Sequence, residues 1–234
     1  MIARNLKSVT ERIAKSCEKV GRSPQDVELV AITKEASVSQ IEEVLGLGVR
    51  TLGENRVQDA LAKHRIIGDR AQWHLIGHLQ TNKAKDAVGI FSLVHSVDSL
   101  RLAAAIDKEA KKINKIQDVL IQVNTSAEAT KFGMPPEAAL DFLKEAALYR
   151  NINIKGLMTI APEVDDPQEA RPYFRKLKQL LDEINERRTT PVRRSLGDGG
   201  IDERRVLSMG LTNDFEVAIE EGSTMVRIGR AIFG

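Results

Sequence analysis

The sequence is poor in cysteine, in aromatic residues and in net charge. Cys17 is the one cysteine among 234 residues, so no disulfide can form within the chain, which is typical of a reducing compartment such as the cytosol. Aromatic residues make up 4% of the chain, too few for the stacking surfaces that bind single-stranded nucleic acid. The net charge of +2 gives no electrostatic reason to expect nucleic acid or a membrane surface as a partner.

Long hydrophobic runs are absent as well. Residues 1–7 lack the apolar block of a secretory signal peptide, and no stretch approaches the length of a membrane span. The composition, with 42% hydrophobic and 29% charged residues, is nevertheless that of a globular protein with a sizeable core. We therefore expect a cytoplasmic, monomeric protein that forms a single domain over residues 1–234.

Short hydrophobic segments alternate with helical segments along the whole chain. An N-terminal helix is predicted over residues 1–20, with Cys17 on its apolar face. Eight strand candidates follow it, at residues 28–34, 49–52, 72–76, 91–94, 118–123, 153–158, 205–207 and 224–228.

This strict alternation indicates parallel strands joined by right-handed crossovers. Eight such units close into an α/β fold, a single (β/α)8 barrel of the TIM type, and 234 residues suit its usual size. No full helix fits after the eighth strand, so the extra N-terminal helix is expected to cover that gap. An open doubly wound sheet is the alternative topology.

One stretch interrupts the pattern. Residues 189–200 are rich in glycine, proline and charge, which predicts a mobile loop. Because this loop follows a helix and precedes a strand, a barrel would place it on the face opposite the active site. Its adjacent arginines, Arg193 and Arg194, are therefore expected to be solvated.

Polar residues end or follow most of the predicted strands. If the strands are parallel, these residues meet at one rim, where barrel enzymes and binding proteins carry their sites. They are Lys34, Glu54, Asn55, His78, His95, Ser96, Asn124, Thr159, Ser208 and Arg227.

Small residues follow the last two strands, in the segments 207–210 and 228–230. The loops at these positions often bind phosphate in barrels, since small residues let backbone N–H groups approach the anion. A short helix is predicted over residues 231–234. A rim lysine near a phosphate site suggests a phosphate-bearing aldehyde cofactor held as an imine, as lysine forms with pyridoxal phosphate (PLP).

Eight segments together give the chain a recognisable pattern. They are residues 30–34 (Val-Ala-Ile-Thr-Lys), 53–58, 73–83, 95–98, 122–124, 156–160, 207–210 and 222–229. In this combination, which spans nearly the whole chain, the sequence resembles the pyridoxal phosphate homeostasis protein family. Members of that family are single barrels related to the N-terminal domain of alanine racemase.

The resemblance implies PLP as the cofactor and assigns roles to individual residues. It implies that Lys34 forms the imine, that Ser208 and Gly229 contact the phosphate, and that Arg227 lies at the pyridine nitrogen. It also places Asn55 close to the cofactor.

Two departures from the family pattern stand out. The loop at 189–200 is longer than expected, and Arg230 occupies a position where the family usually has a small hydroxyl residue. We expect Arg230 to contribute its backbone N–H to the phosphate, with a side chain that is only partly engaged.

Three functions compete at this point. The first is a PLP-binding protein that buffers the cofactor or delivers it to apo-enzymes, without catalytic residues of its own. The second is a racemase-like enzyme, which needs a second acid/base from another domain or subunit. The chain ends directly after the barrel, and Tyr149 and Tyr173 fall in predicted helices. A permanent cation at Arg227 would also disfavour a protonated pyridine ring. Both points favour the carrier.

The third function is a metal hydrolase that uses His74, His78 and His95. On an extended strand His74 and His78 would share a face, but Gly77 is expected to end the strand first. No acidic residue has clear ligand spacing to the three histidines. We therefore expect no metal site.

Overall fold

The computed structural model describes residues 1–128, 130–189 and 206–234. Eight parallel strands follow one another around a closed barrel, and β8 pairs with β1 to complete the ring. The strands are β1 (Glu28–Ile32), β2 (Thr51–Glu54), β3 (Gln72–Leu75), β4 (Leu93–Val97), β5 (Gln117–Gln122), β6 (Ile152–Met158), β7 (Val206–Ser208) and β8 (Met225–Ile228). The predicted (β/α)8 barrel is confirmed, and the closure between β1 and β8 excludes an open sheet.

Helices surround the barrel in the described part of the chain. They are α1 (Ile2–Lys19), α2 (Val38–Gly46), α3 (Val57–Ile67), α4 (Ala84–Ile90), α5 (Leu100–Lys112), α6 (Ala139–Ala146), α7 (Arg171–Thr189), α8 (Phe215–Glu220) and α9 (Arg230–Phe233). The apolar face of α1, including the buried Cys17, packs against α8 and the short α9. The N-terminal helix therefore covers the position that a full helix after β8 would take, as predicted.

The register of the strands decides which side chains point into the barrel. Val30 lies beside Thr51 and Arg227 on the neighbouring strands, and Met158 lies beside Ser208. A separate apolar cluster fills the barrel interior, and it consists of Val30, Ile32, Ile76, Leu93, Leu120, Met158 and Met225. Because alternate residues of a strand share a face, Arg227 lies inside the barrel, on the C-terminal side of Met225.

Two strands start and end later than the sequence pattern predicted. Strand β2 was expected at 49–52 and strand β4 at 91–94, yet they extend to Glu54 and Val97. Glu54 and His95 resemble strand ends because they are polar, but both are fully buried and hydrogen-bonded within the fold. A strand can continue to or through a polar residue that has buried partners, and sequence alone does not reveal such partners.

Two further expectations concern segments rather than residues. The predicted loop at 189–200 lies outside the described residues apart from Thr189, with which α7 ends. No helix among the described residues has both the length and the apolar character needed to cross a membrane.

Candidate functional site at the mouth of the barrel

Lys34 lies in a turn directly after β1, at the C-terminal end of the barrel. The N–H of Ala36 donates to the carbonyl of Thr33 over 3.0 Å, which closes this turn around Lys34. The lysine side chain is 48% exposed, and its Nζ lies 3.3 Å from Glu35 Oε1. A small molecule can therefore reach this amine from solvent.

The junction of β8 and α9 lies beside the end of β1. Ile228 is the register partner of Ala31, and a Cβ atom on Gly229 would lie 3.2 Å from the carbonyl oxygen of Ile32. Gly229 thus allows a close approach of the two backbones. Helix α9 begins at Arg230, and the N–H groups of Ile232 and Phe233 donate to the Gly229 carbonyl oxygen. The N–H groups of Arg230 and Ala231 have no acceptor within the helix. This start of the helix lies next to the end of β1, whereas the Arg230 side chain is exposed.

Asn55 follows β2, on the strand adjacent to β1, and is half-buried. A Cβ atom on Gly77 would lie 2.1 Å from the Asn55 carbonyl oxygen, so the end of β3 packs directly on this backbone. Gly53, two positions earlier, faces the barrel interior, where a Cβ atom would lie 2.5 Å from Ile32 Cδ1. The alternation along β2 places Asn55 on the same side, towards the mouth.

Arg227 lies deeper, with 1% exposure, and organises a polar network inside the barrel. Its Nη1 donates to Ser208 Oγ over 2.6 Å, and its Nη2 donates to the Thr159 carbonyl oxygen over 2.8 Å. Ser208 Oγ also lies 3.0 Å from His95 Nδ1, and His95 Nε2 lies 3.1 Å from His74 Nδ1. The hydroxyl of Ser208 is therefore engaged by side chains from two other strands.

Burial sets the charges of this network. It lowers the pKa of Arg227 to about 10, against a smaller opposing effect of Asp214, so Arg227 stays a cation at neutral pH. Burial also lowers the pKa of His74 to about 3. The pKa of His95 is lowered well below its ordinary value by burial, with further contributions from His74 and Arg227. One fixed positive charge thus lies beside two neutral imidazoles.

The three histidines make separate contacts. His74 and His95 bond to each other, whereas the ring of His78 stacks on Phe132 with centroids 4.0 Å apart. His78 Nδ1 also lies 3.6 Å from Asp98 Oδ2. No group of three or more metal-binding side chains occurs among the described residues. The geometry gives the metal-hydrolase hypothesis no support.

The sequence reasoning missed one residue close to Lys34. Lys63 in α3 bonds to Glu54 Oε1 over 2.7 Å and to the carbonyl oxygen of Thr33. A lysine in an amphipathic helix normally indicates a solvated surface, so no sequence signal identified it. The alternation of β2 shows that Glu54 faces outward to meet it, because Gly53 faces inward.

Replacing Arg227 with methionine, a neutral side chain of similar volume, is expected to change the free energy of unfolding by no more than about 2 kcal/mol. A pKa of about 10 in place of 12.5 corresponds to a cost of about 3 kcal/mol for burying the charge, and the substitution removes this cost. The Thr159 carbonyl loses its donor, which costs about 1–3 kcal/mol. Denaturant unfolding measures the difference, and a loss above about 4 kcal/mol would show that the fold depends on Arg227.

A family model described as "Alanine racemase, N-terminal domain" matches residues 5–234. The closed barrel, with its rim lysine after β1 and its buried arginine in β8, is therefore of the alanine racemase N-terminal type. A pyridoxal phosphate homeostasis protein of Aquifex aeolicus is 42% identical over 98% of this chain and 96% of its own length. One from Pseudomonas aeruginosa is 34% identical over 100% of this chain and 95% of its own. The chain therefore belongs to the pyridoxal phosphate homeostasis protein family.

Solved structures agree with this assignment. PipY of Synechococcus elongatus PCC7942, whose structure was solved with PLP bound, is 30% identical with a TM-score of 0.82, and each chain covers 100% of the other. An alanine racemase of Clostridium difficile 630 is 18% identical with a TM-score of 0.70 and matches 99% of this chain but 56% of its own. The racemase shares the barrel fold.

Proposed function

We propose that this protein holds PLP as a Schiff base on Lys34 and takes part in PLP homeostasis, by buffering or delivering the cofactor without a committed catalytic reaction. The observation that carries this proposal is the exposed amine of Lys34 beside the β8–α9 junction, where Gly229 lets the start of α9 approach the end of β1. The names of the relatives and the PLP bound to PipY support the choice of cofactor.

The residues at the mouth fit the chemistry of PLP. The N–H groups of Gly229 and Arg230 are suited to the phosphate. Gly229 has no side chain to block an anion, and the first turn of α9 presents backbone donors there. Arg227 would face the pyridine nitrogen, and Asn55 would lie along the cofactor. Ser208 is proposed to act at the phosphate end while its hydroxyl also holds the Arg227 guanidinium.

The charge of Arg227 is the reason to propose a carrier and not a committed enzyme. When bound, PLP supplies an aldehyde that captures amines and a ring that withdraws electrons from them. Ring protonation strengthens that withdrawal, and a permanent cation at the nitrogen disfavours it. Arg227 keeps its charge at neutral pH because a pKa of about 10 remains far above 7.

The visible spectrum of the protein loaded with PLP, recorded before and after borohydride, tests the proposal. We expect an imine band that borohydride removes, and peptide mass analysis should place the reduced adduct on Lys34. An adduct wholly on another lysine would contradict the assignment. Racemisation of alanine or serine at ordinary enzyme rates, on the order of 1–10³ per second, would instead favour the racemase-like alternative.

Further parts of the proposal concern the protein's surroundings. We propose that residues 1–234 act as one PLP-binding barrel in the cytoplasm, as a monomer, with PLP-dependent apo-enzymes as recipients. The single buried Cys17 supports a reducing compartment. Size-exclusion chromatography with light scattering, and PLP transfer to a purified apo-enzyme, test the oligomeric state and the delivery role separately.

Replacing Arg230 with threonine is expected to weaken PLP binding by less than tenfold, or less than about 1.4 kcal/mol. The expected effect is small because the Arg230 side chain is exposed and the proposed contact uses its backbone N–H, which threonine keeps. Titration of the protein with PLP at two salt concentrations measures it. A larger loss that added salt strongly reduces would show that the guanidinium is a main phosphate ligand.

A further inference from the structure

A buried ion pair lies directly behind the Lys34 turn. Glu54 at the end of β2 is fully buried, and the side chain of Lys63 in α3 is 15% exposed. Lys63 Nζ lies 2.7 Å from Glu54 Oε1. The pair lies between α3 and the outer side of the barrel wall, at the C-terminal end of β2.

The pair holds Thr33, the residue that immediately precedes Lys34. Thr33 N–H donates to the Gly53 carbonyl oxygen over 2.9 Å, which continues the β1–β2 ladder. Thr33 Oγ1 donates to Glu54 Oε1 over 2.6 Å, and the Thr33 carbonyl accepts from Lys63 Nζ. Each polar group of Thr33 is thus engaged, and the ion pair contacts two of the three. The carbonyl also accepts from the Ala36 N–H, and Oγ1 also lies 3.4 Å from the Gly53 carbonyl oxygen.

Among the described residues, the Lys34 side chain has no comparable restraint. It is 48% exposed, and the ion pair it makes there is with the exposed Glu35, at 3.3 Å. Such exposed pairs contribute little order. The direction in which Nζ extends is therefore set by the backbone of the turn, and Thr33 anchors that backbone.

Packing alone does not account for a charged pair at this position. Desolvating two ions commonly cancels their attraction, and hydrophobic residues of similar volume would hold α3 on the barrel equally well. Glu54 Oε2 is also buried without a hydrogen-bond partner in the described part of the chain, which adds to the cost. The pair does supply a directed contact to the Thr33 carbonyl that apolar side chains cannot make.

We propose that Lys63 and Glu54 are positioning residues that orient Lys34 for imine formation. The inference rests on the proposed function, because it takes Lys34 as the lysine that reacts with PLP. Lys63 itself is unsuited to that reaction, since its amine is bound to a carboxylate and lies between α3 and the barrel wall.

A comparison of two lysine substitutions tests the proposal. Lys63→Met removes the positioning cation, and Lys115→Met is the matched control. Lys115 is also partly buried and also donates to backbone carbonyls, of Val88 and Phe91 at 2.7 Å each, but it precedes β5 at the opposite end of the barrel. Both variants lose a partly buried lysine that donates to backbone carbonyls, and only Lys63 contacts the Lys34 turn.

Each variant is titrated with PLP and with pyridoxamine phosphate, which has the same ring and phosphate but no aldehyde. For Lys63→Met we expect the imine equilibrium constant to fall at least tenfold, with pyridoxamine phosphate affinity unchanged within twofold. For Lys115→Met we expect both quantities to stay within twofold of the parent protein. In the protein without ligand, hydrogen exchange of the Ala36 amide should accelerate in Lys63→Met, because its acceptor is the Thr33 carbonyl.

The proposal is overturned if Lys63→Met forms the imine as well as Lys115→Met does, or if it loses both ligands equally. Should Lys63→Met fail to fold, Glu54→Gln, which keeps an acceptor oxygen but removes the charge, replaces it. An unchanged imine constant in that variant would equally overturn the proposal. Borohydride mapping on the parent protein decides the role of Lys34 independently, so the failure of one inference is distinguishable from the failure of the other.

Discussion

Replacing Lys34 with alanine is expected to abolish the covalent PLP adduct, the largest single effect that the site predicts. The Lys34 amine is exposed and lies beside the β8–α9 junction. In the described part of the mouth that β1, β2 and β8 form, no other amine combines these two features. Lys63 also contacts the Lys34 turn, but its amine is bound to Glu54 and to the Thr33 carbonyl. Borohydride treatment followed by intact-protein mass spectrometry should show no PLP-sized mass increase in the variant.

The control for this experiment is Glu35→Gln. It alters the neighbouring residue and removes the ion pair with Lys34, but leaves the amine in place. We expect this variant to form the adduct as the parent protein does. Lys34→Ala should still retain some free PLP through the phosphate contacts, so its spectrum is expected to show the aldehyde and not the imine. Full imine absorbance in Lys34→Ala would assign the chemistry to a different lysine.

The barrel was predictable because its pattern is local. Eight hydrophobic segments of strand length alternate with helical segments, and each can be identified without knowledge of its neighbours in space. The positions of Lys34 and Gly229 at the C-terminal ends of β1 and β8 follow from the same pattern. Parallel strands place all such ends on one rim, so a one-dimensional pattern indicated where a site should lie.

The interior network was not predictable, because its partners are distant in sequence. His95 bonds to His74 and to Ser208, which are 21 and 113 positions away. Before the fold is known, a polar residue late in a strand is indistinguishable from one that ends it, which explains why β4 was placed too early. Lys63 was missed for the same reason, since its contact with Thr33 spans 30 positions.

Lowering the pH below 6.5 is expected to destabilise the protein, and His74 gives the expected size of the effect. Its pKa is about 3 in the folded protein, whereas an unperturbed histidine in an unfolded chain has a pKa near 6.5. Between these values the unfolded state binds more protons, so the free energy of unfolding falls as the pH falls. At pH 4.5 the loss from His74 is about 3 kcal/mol, at about 1.4 kcal/mol per pH unit.

His95 adds to this loss, because burial lowers its pKa in the same direction. Against a typical total stability of about 5–15 kcal/mol, the two histidines together remove a large fraction. Denaturant unfolding at several pH values between 4 and 8 measures the dependence. The contribution of the two histidines to the free energy of unfolding should be constant above pH 7 and should fall steeply as the pH drops below 6.

His74→Asn is expected to lower the slope of the free energy of unfolding against pH by the equivalent of about one bound proton, since asparagine does not titrate. His64→Asn is the control for the loss of a histidine, because the His64 ring is partly exposed, at 26%, near Asp69. The two variants therefore separate the buried pair from other acid-sensitive groups, such as the carboxylates that pair Arg171 with α8. If His74→Asn keeps the full pH dependence, the pair is hydrated or already protonated in the folded protein. The fixed cation of Arg227 would then not lie beside two neutral imidazoles.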